Sequence, residues 1–145
     1  MEEQLELIKS QLYKSEVTFP PLRERLIRSG ELRAWYRYYR GGNQWANKLF
    51  TEENIFLMSQ LLIWSQIYED GKMDVYSFKL DEISKVERDY AYEDKTNQKL
   101  VLSQAIVTFK TMKDKRARDC LVFKRPVAAE MGDSEGFERL LDLLD

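Results

Sequence analysis

The hydrophobic period of this chain changes at Gly41-Gly42, and that change points to a mixed α and β architecture. Before the glycines, apolar residues recur at helical spacing. Leu5, Ile8 and Leu12 give an amphipathic helix over residues 3–15. Phe19-Pro20-Pro21 interrupts it, with Pro21 suited to the first turn of a new helix. That second helix carries Leu22, Leu26 and Ile27 and ends near Gly30. Leu32, Trp35, Tyr36 and Tyr39 then fall at i, i+3, i+4 and i+7, so residues 31–40 read as a third helix, with Arg33, Arg37 and Arg40 together on another face.

After the glycines the pattern becomes that of strands. Ile55–Met58 and Leu61–Tyr68 are rich in branched and aromatic residues. Leu57, Leu61, Trp64 and Tyr68 also match a helix, but Asp70-Gly71 is a hairpin signal and favours strands over 54–68. Further strands are expected at 75–80, 83–92, 100–111 and 120–123, with Pro126 ending the last. Asp133 or Ser134 can cap a final helix whose apolar face is Phe137, Leu140, Leu141 and Leu144. The expected class is α+β: a helical N-terminal extension over 1–42, then a bent antiparallel sheet or partly open barrel over 43–145 with a C-terminal capping helix.

The chain has no histidine and one cysteine. That removes an imidazole base, a Ser-His or Cys-His nucleophile pair and a His- or Cys-based metal site. No catalytic residues, metal ligands or cofactor motif are identified, which argues against an enzyme. Cys120 lies within an apolar strand and reads as a structural thiol. The carboxylate groups Asp81-Glu82, Glu87-Arg88-Asp89 and Glu93-Asp94 are interleaved with basic residues and read as solvated surface rather than a Mg²⁺ site. An acidic start without an apolar run gives no secretory signal, so the cytoplasm is the expected location.

Charge leaves two basic candidates inside a chain of net charge −2. Residues 22–50 hold seven Lys or Arg against Glu24 and Glu31, including Arg33, Arg37 and Arg40. Lys110, Lys113, Lys115, Arg116 and Arg118 surround an expected hairpin tip. Both clusters suit an anionic partner. The plainer alternatives are a solvated helix face for the first and a charged turn that guards a sheet edge for the second.

Leu49-Phe50-Thr51-Glu52-Glu53-Asn54-Ile55-Phe56 and Val75-Tyr76-Ser77-Phe78-Lys79-Leu80-Asp81-Glu82-Ile83-Ser84-Lys85-Val86, followed by more strands and one last helix, resemble bacterial pleckstrin-homology-like or GRAM-like domains. The resemblance covers roughly residues 45–145. It implies a bent, partly open antiparallel barrel stoppered by the last helix, and binding of proteins, peptides or lipid headgroups without catalytic residues. Glu52, Glu53, Glu69 and Asp70 are expected to make the early loops acidic, which disfavours headgroups. The partners that fit are a protein or peptide, a second copy of the chain, or an anionic membrane touched peripherally. Nucleic acid fits poorly with a pI near 5.4. A cystatin-like or NTF2-like cone that binds a small ligand is the alternative fold.

Overall fold

The computed structural model describes residues 1–38, 50–92, 99–110, 120–126 and 134–144. The chain is α+β and divides into two compact units. Residues 1–78 and 126–145 form the first; residues 79–125 form the second.

The first unit opens with α1 (Glu2–Gln11) and α2 (Ser15–Arg28), which pack as a hairpin. Lys14, at φ 49° and ψ 48°, reverses the chain between them, and its carbonyl accepts from the amides of Val17 and Thr18 at 3.0 Å. Thr18 Oγ1 donates back to the carbonyls of Tyr13 and Lys14, so the turn and the first turn of α2 are tied together.

α2 runs through Pro20 and Pro21, where the sequence pointed to a break. The prolines lack N–H groups, which leaves the carbonyls of Glu16 and Val17 without their usual helical partners. Glu16, Val17, Pro20 and Pro21 are all exposed, so water can satisfy those carbonyls. The opposite face buries Thr18, Phe19, Leu22 and Leu26, and that packing outweighs the local propensity.

Residues 32–38 are a strand, not a third helix. The helical segment therefore ends at Arg28, ahead of the twin glycines. β1 (Leu32–Tyr38), β2 (Phe50–Met58), β3 (Leu61–Tyr68) and β4 (Met73–Lys79) follow in sequence order across one four-stranded sheet. Both β1–β2 and β2–β3 are antiparallel, pairing Trp35 with Phe56 and Phe56 with Ile63. A register shift between Leu32 and Ala34 places Leu32 beside Met58 and Ala34 beside Leu57.

This sheet is covered on both faces. Leu5, Ile8 and Leu12 of the α1 region and Phe19, Leu22 and Leu26 of α2 form one core with Leu32, Phe56, Met58, Ile63 and Ile67. On the opposite face Tyr36 meets Phe137 of α3 (Ser134–Leu143) edge-on, with centroids 5.3 Å apart. Phe137, Leu140 and Leu141 are fully buried, each contributing about 1.5–3 kcal/mol by removal from water. The terminal helix was expected to close a core, and it closes this one.

The second unit begins with a single 3-10 turn at Leu80–Glu82. β5 (Ile83–Tyr92), β6 (Leu100–Phe109) and β7 (Cys120–Lys124) form a separate three-stranded antiparallel sheet in that order. Its buried residues alternate: Ala105, Val107 and Phe109 on β6, Leu121 and Phe123 on β7. Among the described residues the strands thus make two sheets and no closed barrel. Among the described residues no helix is long and apolar enough to cross a membrane.

Candidate functional site

The β3–β4 hairpin sets the geometry of the sheet's outer edge. Gly71 N–H donates to the Tyr68 carbonyl at 2.9 Å, and Tyr68 N–H donates to the Lys72 carbonyl at 2.8 Å. Asp70 Oδ1 accepts from Lys72 N–H at 3.0 Å, while Gly71 takes φ +92°, which a side chain would resist. Lys72 therefore faces β3. Strand alternation then turns the backbone groups of Met73, Val75, Ser77 and Lys79 towards the open side of β4.

Side chains alternate across the same strand. Met73 packs on the helix-side core. Asp74 and Tyr76 point to the other face, where Asp74 Oδ2 accepts from Tyr68 OH at 2.5 Å and Tyr76 lies 5.7 Å from the Trp64 ring. Among the described residues β4 is the outermost strand of its sheet, and Val75 and Tyr76 are exposed. Val75-Tyr76-Ser77-Phe78 carries no charge and no proline. Exposed edges are usually guarded by such residues, because unpaired amides and carbonyls invite another strand.

β5 is also an outermost strand, and it is guarded. Lys85, Glu87, Arg88 and Asp89 occupy its middle. Lys85 pairs with Glu87 at 2.5 Å, and Asp89 accepts from Gln104 Nε2 at 2.7 Å.

A second constellation lies under the α1–α2 turn. Arg37, Asn54 and Ser65 sit side by side across β1, β2 and β3, with Glu52 next to Asn54 on the same face. Glu52 is fully buried, accepting from Tyr13 N–H at 2.9 Å and standing 3.5 Å from Arg37 Nε. Arg37 Nη1 also donates to the Gln11 carbonyl. Trp35 Nε1 donates to Asn54 Oδ1 at 3.2 Å. Burial pushes the Glu52 carboxyl above its ordinary 4.5, against the opposing pull of Tyr13 N–H, the Asn54 side chain and the Arg37 charge. The result is a polar clamp holding the helix hairpin to the sheet.

Comparison with known proteins finds no matching family model, no matching curated sequence and no matching solved structure.

The residues singled out from sequence end up in different places. Arg33 is exposed at the β1 register shift, while Arg37 turns inward to Glu52 and Gln11. The shared arginine face does not form, because it required a helix; Arg40 lies outside the described residues. Lys110 Nζ donates to the Asp81 carbonyl at 2.9 Å, and its own amide donates to the Glu82 carbonyl at 2.7 Å. Lys113, Lys115, Arg116 and Arg118 lie outside the described residues, as do Glu93 and Asp94. Glu52 and Glu53 were expected in an acidic loop; both are buried in β2. Glu69 and Asp70 do form an exposed acidic turn. Among the described residues, no three Cys, Asp or Glu side chains gather as a metal site would require. The clamp escaped the sequence because Glu52 meets Tyr13 only after 39 residues of chain. The β4 edge did have a signal in Val75–Phe78: four uncharged residues, three of them of high strand propensity, just past a hairpin turn.

Proposed function

We propose that this chain is a non-enzymatic recognition module of pleckstrin-homology-like type, which takes up an extended segment of a partner protein along β4. The observation that carries this reading is the outermost position of β4 combined with its exposed, uncharged centre. A peptide added there gains backbone hydrogen bonds from Met73, Val75, Ser77 and Lys79, and its alternate side chains meet Tyr76 and Phe78. Such a partner is an apolar or aromatic β-forming segment with no charge opposite Tyr76. Antiparallel strands followed by one last helix is also the element order that the resemblance over residues 45–145 implies, although β1 lies outside that span. Binding an anionic headgroup has less support, since Arg37 is committed to Glu52 and Gln11.

The test is selection from a displayed library of random linear peptides, with binding mapped by backbone amide chemical shifts. Binders should perturb Met73, Val75, Ser77 and Lys79 first. Ser77→Pro removes an outward donor without touching the β3 ladder, so it should abolish binding while Ser77→Ala preserves it. Binders that map elsewhere, or a library yielding none, would overturn the proposal.

A further inference from the structure

The edge of β4 is complementary to itself, and we infer that a second copy of this chain pairs with it, β4 against β4, about a two-fold axis. This inference rests on the strand-addition reading and specifies one occupant. A two-fold axis perpendicular to an antiparallel pair sets residues whose numbers sum to an even value opposite each other. Three such registers overlap the exposed centre of β4.

Centred on Val75, the pairing sets Asp74 against the partner's Tyr76 and Lys72 against the partner's Phe78. Centred on Tyr76, it sets Asp74 against the partner's Phe78. Both set the Asp74 carboxylate against an aromatic ring, and Asp74 is already engaged by Tyr68 OH.

Centred on Ser77, the strand residues that oppose one another, 75–79, are all compatible, and Asp74 falls opposite the partner's Leu80, beyond the end of β4. Tyr76 faces the partner's Phe78, and the symmetry repeats that pair. Val75 lies against the stem of the partner's Lys79, and Ser77 meets the partner's Ser77. The aromatic contact extends the row that already joins Trp64 to Tyr76. Val75, Ser77 and Lys79, whose backbone groups face outward, supply the hydrogen bonds on both sides. The product is one continuous sheet of eight strands. A pairing this small gives a weak, concentration-dependent dimer rather than an obligate one. It also competes with any peptide for the same edge.

The test uses the full chain in two measurements. In a Cys120→Ala background, single cysteines are introduced at Val75 or Ser77 and oxidised mildly. Opposed Ser77→Cys residues lie about 5.5 Å apart between Cα atoms, within reach of a disulfide. Val75→Cys residues are four positions out of register, roughly 13 Å apart, and out of reach. Ser77→Cys alone should give a covalent dimer, and circular dichroism of each variant checks that it is folded. Sedimentation of the native chain should show mass rising with concentration, and Ser77→Pro should hold it at one chain. A chain that stays monomeric while selected peptides still bind β4 would overturn self-pairing and leave the recognition reading intact. Dimers that survive Ser77→Pro, or that cross-link equally at Val75→Cys, would overturn this register and edge. Loss of both self-pairing and peptide binding would remove both proposals.

Discussion

Arg37 on β1 and Glu52 on β2 meet across the sheet, Nε to Oε1 at 3.5 Å, and each also holds the α1–α2 turn: Arg37 at the Gln11 carbonyl, Glu52 at the Tyr13 amide. One ion pair thus joins two strands and a helix hairpin. Its carboxylate is wholly buried and its guanidinium 18% exposed. Charges removed from water this way contribute little as a pair but are costly to separate.

The first prediction concerns protonation. Burial raises the Glu52 carboxyl above 4.5, so the folded chain binds this proton more tightly than the unfolded chain does. The stability that Glu52 contributes is lowest above its folded value. It grows as pH falls through that value and is complete below 4.5. Glu52→Gln lacks this dependence. The unfolding free energy of the wild type minus that of Glu52→Gln should therefore be higher at pH 4.5 than at neutral pH, changing by no more than about 1.4 kcal/mol per pH unit. Urea titrations of both proteins across that range measure it, and a flat or falling difference refutes the assignment.

The second prediction concerns the other partner. Arg37→Ala strips the charge from beside Glu52 and leaves the Gln11 carbonyl without its guanidinium donor. A loss of about 2–4 kcal/mol is expected, slightly below the range for fully buried pairs because Arg37 is partly solvated. Arg37→Lys should recover only part of it, since one ammonium cannot reproduce the fork that reaches two acceptors. Amide hydrogen exchange should accelerate at Leu12 and Tyr13 before it does at β3. Equal acceleration throughout the chain would show that Arg37 does not act at the turn.

The residues that misled the sequence reading show what was legible. Leu32 and Trp35 of β1 both pack in the helix-side core, Trp35 against Phe56 with centroids 6.1 Å apart. Tyr36 is buried against α3 on the other face, and the register shift after Leu32 breaks the alternation. A strand covered on both faces loses its period of two, and Leu32, Trp35 and Tyr36 then match a helix by spacing alone. The same ambiguity affected 54–68, where β2 and β3 are buried nearly throughout, and there the Asp70-Gly71 turn decided correctly for strands. β6 alternates only over Ala105–Phe109 and was legible from that imperfect pattern, and β7 from a short apolar run ended by Pro126. The terminal helix was legible too, because only one of its faces is covered. The β4 edge could be read locally, whereas the clamp depends on tertiary contacts between residues 11–13 and 37–52 that no local pattern encodes.

The third prediction tests the cover that α3 provides. Phe137 has no exposed surface and packs edge-on against Tyr36. Phe137→Ala should cost about 3–5 kcal/mol, the usual range for emptying a buried aromatic site. Arg139→Ala, two positions along on the exposed face, should change stability by no more than about 0.5 kcal/mol. Denaturant unfolding of the two variants gives the contrast. Similar losses for both would mean that the helix is held by something other than its apolar face.

The fourth prediction separates backbone strain from crowding at the turn that leads into β4. Gly71 sits at φ +92°, and a Cβ added there would come 3.2 Å from Lys14 Cδ. Either effect disfavours Gly71→Ala, but they respond differently to a second change. The Lys14 side chain is flexible and exposed, so it can move aside with little penalty. The positive φ cannot be relieved without rebuilding the hairpin. Gly71→Ala should therefore lower stability by about 1 kcal/mol or more. Lys14→Ala should not restore it. Gly71→Asn should lose less, because asparagine tolerates the left-handed region better than other side chains. Thermal melts of the four proteins provide the comparison. Full rescue by Lys14→Ala would assign the effect to crowding and take away the conformational reason for glycine at this position.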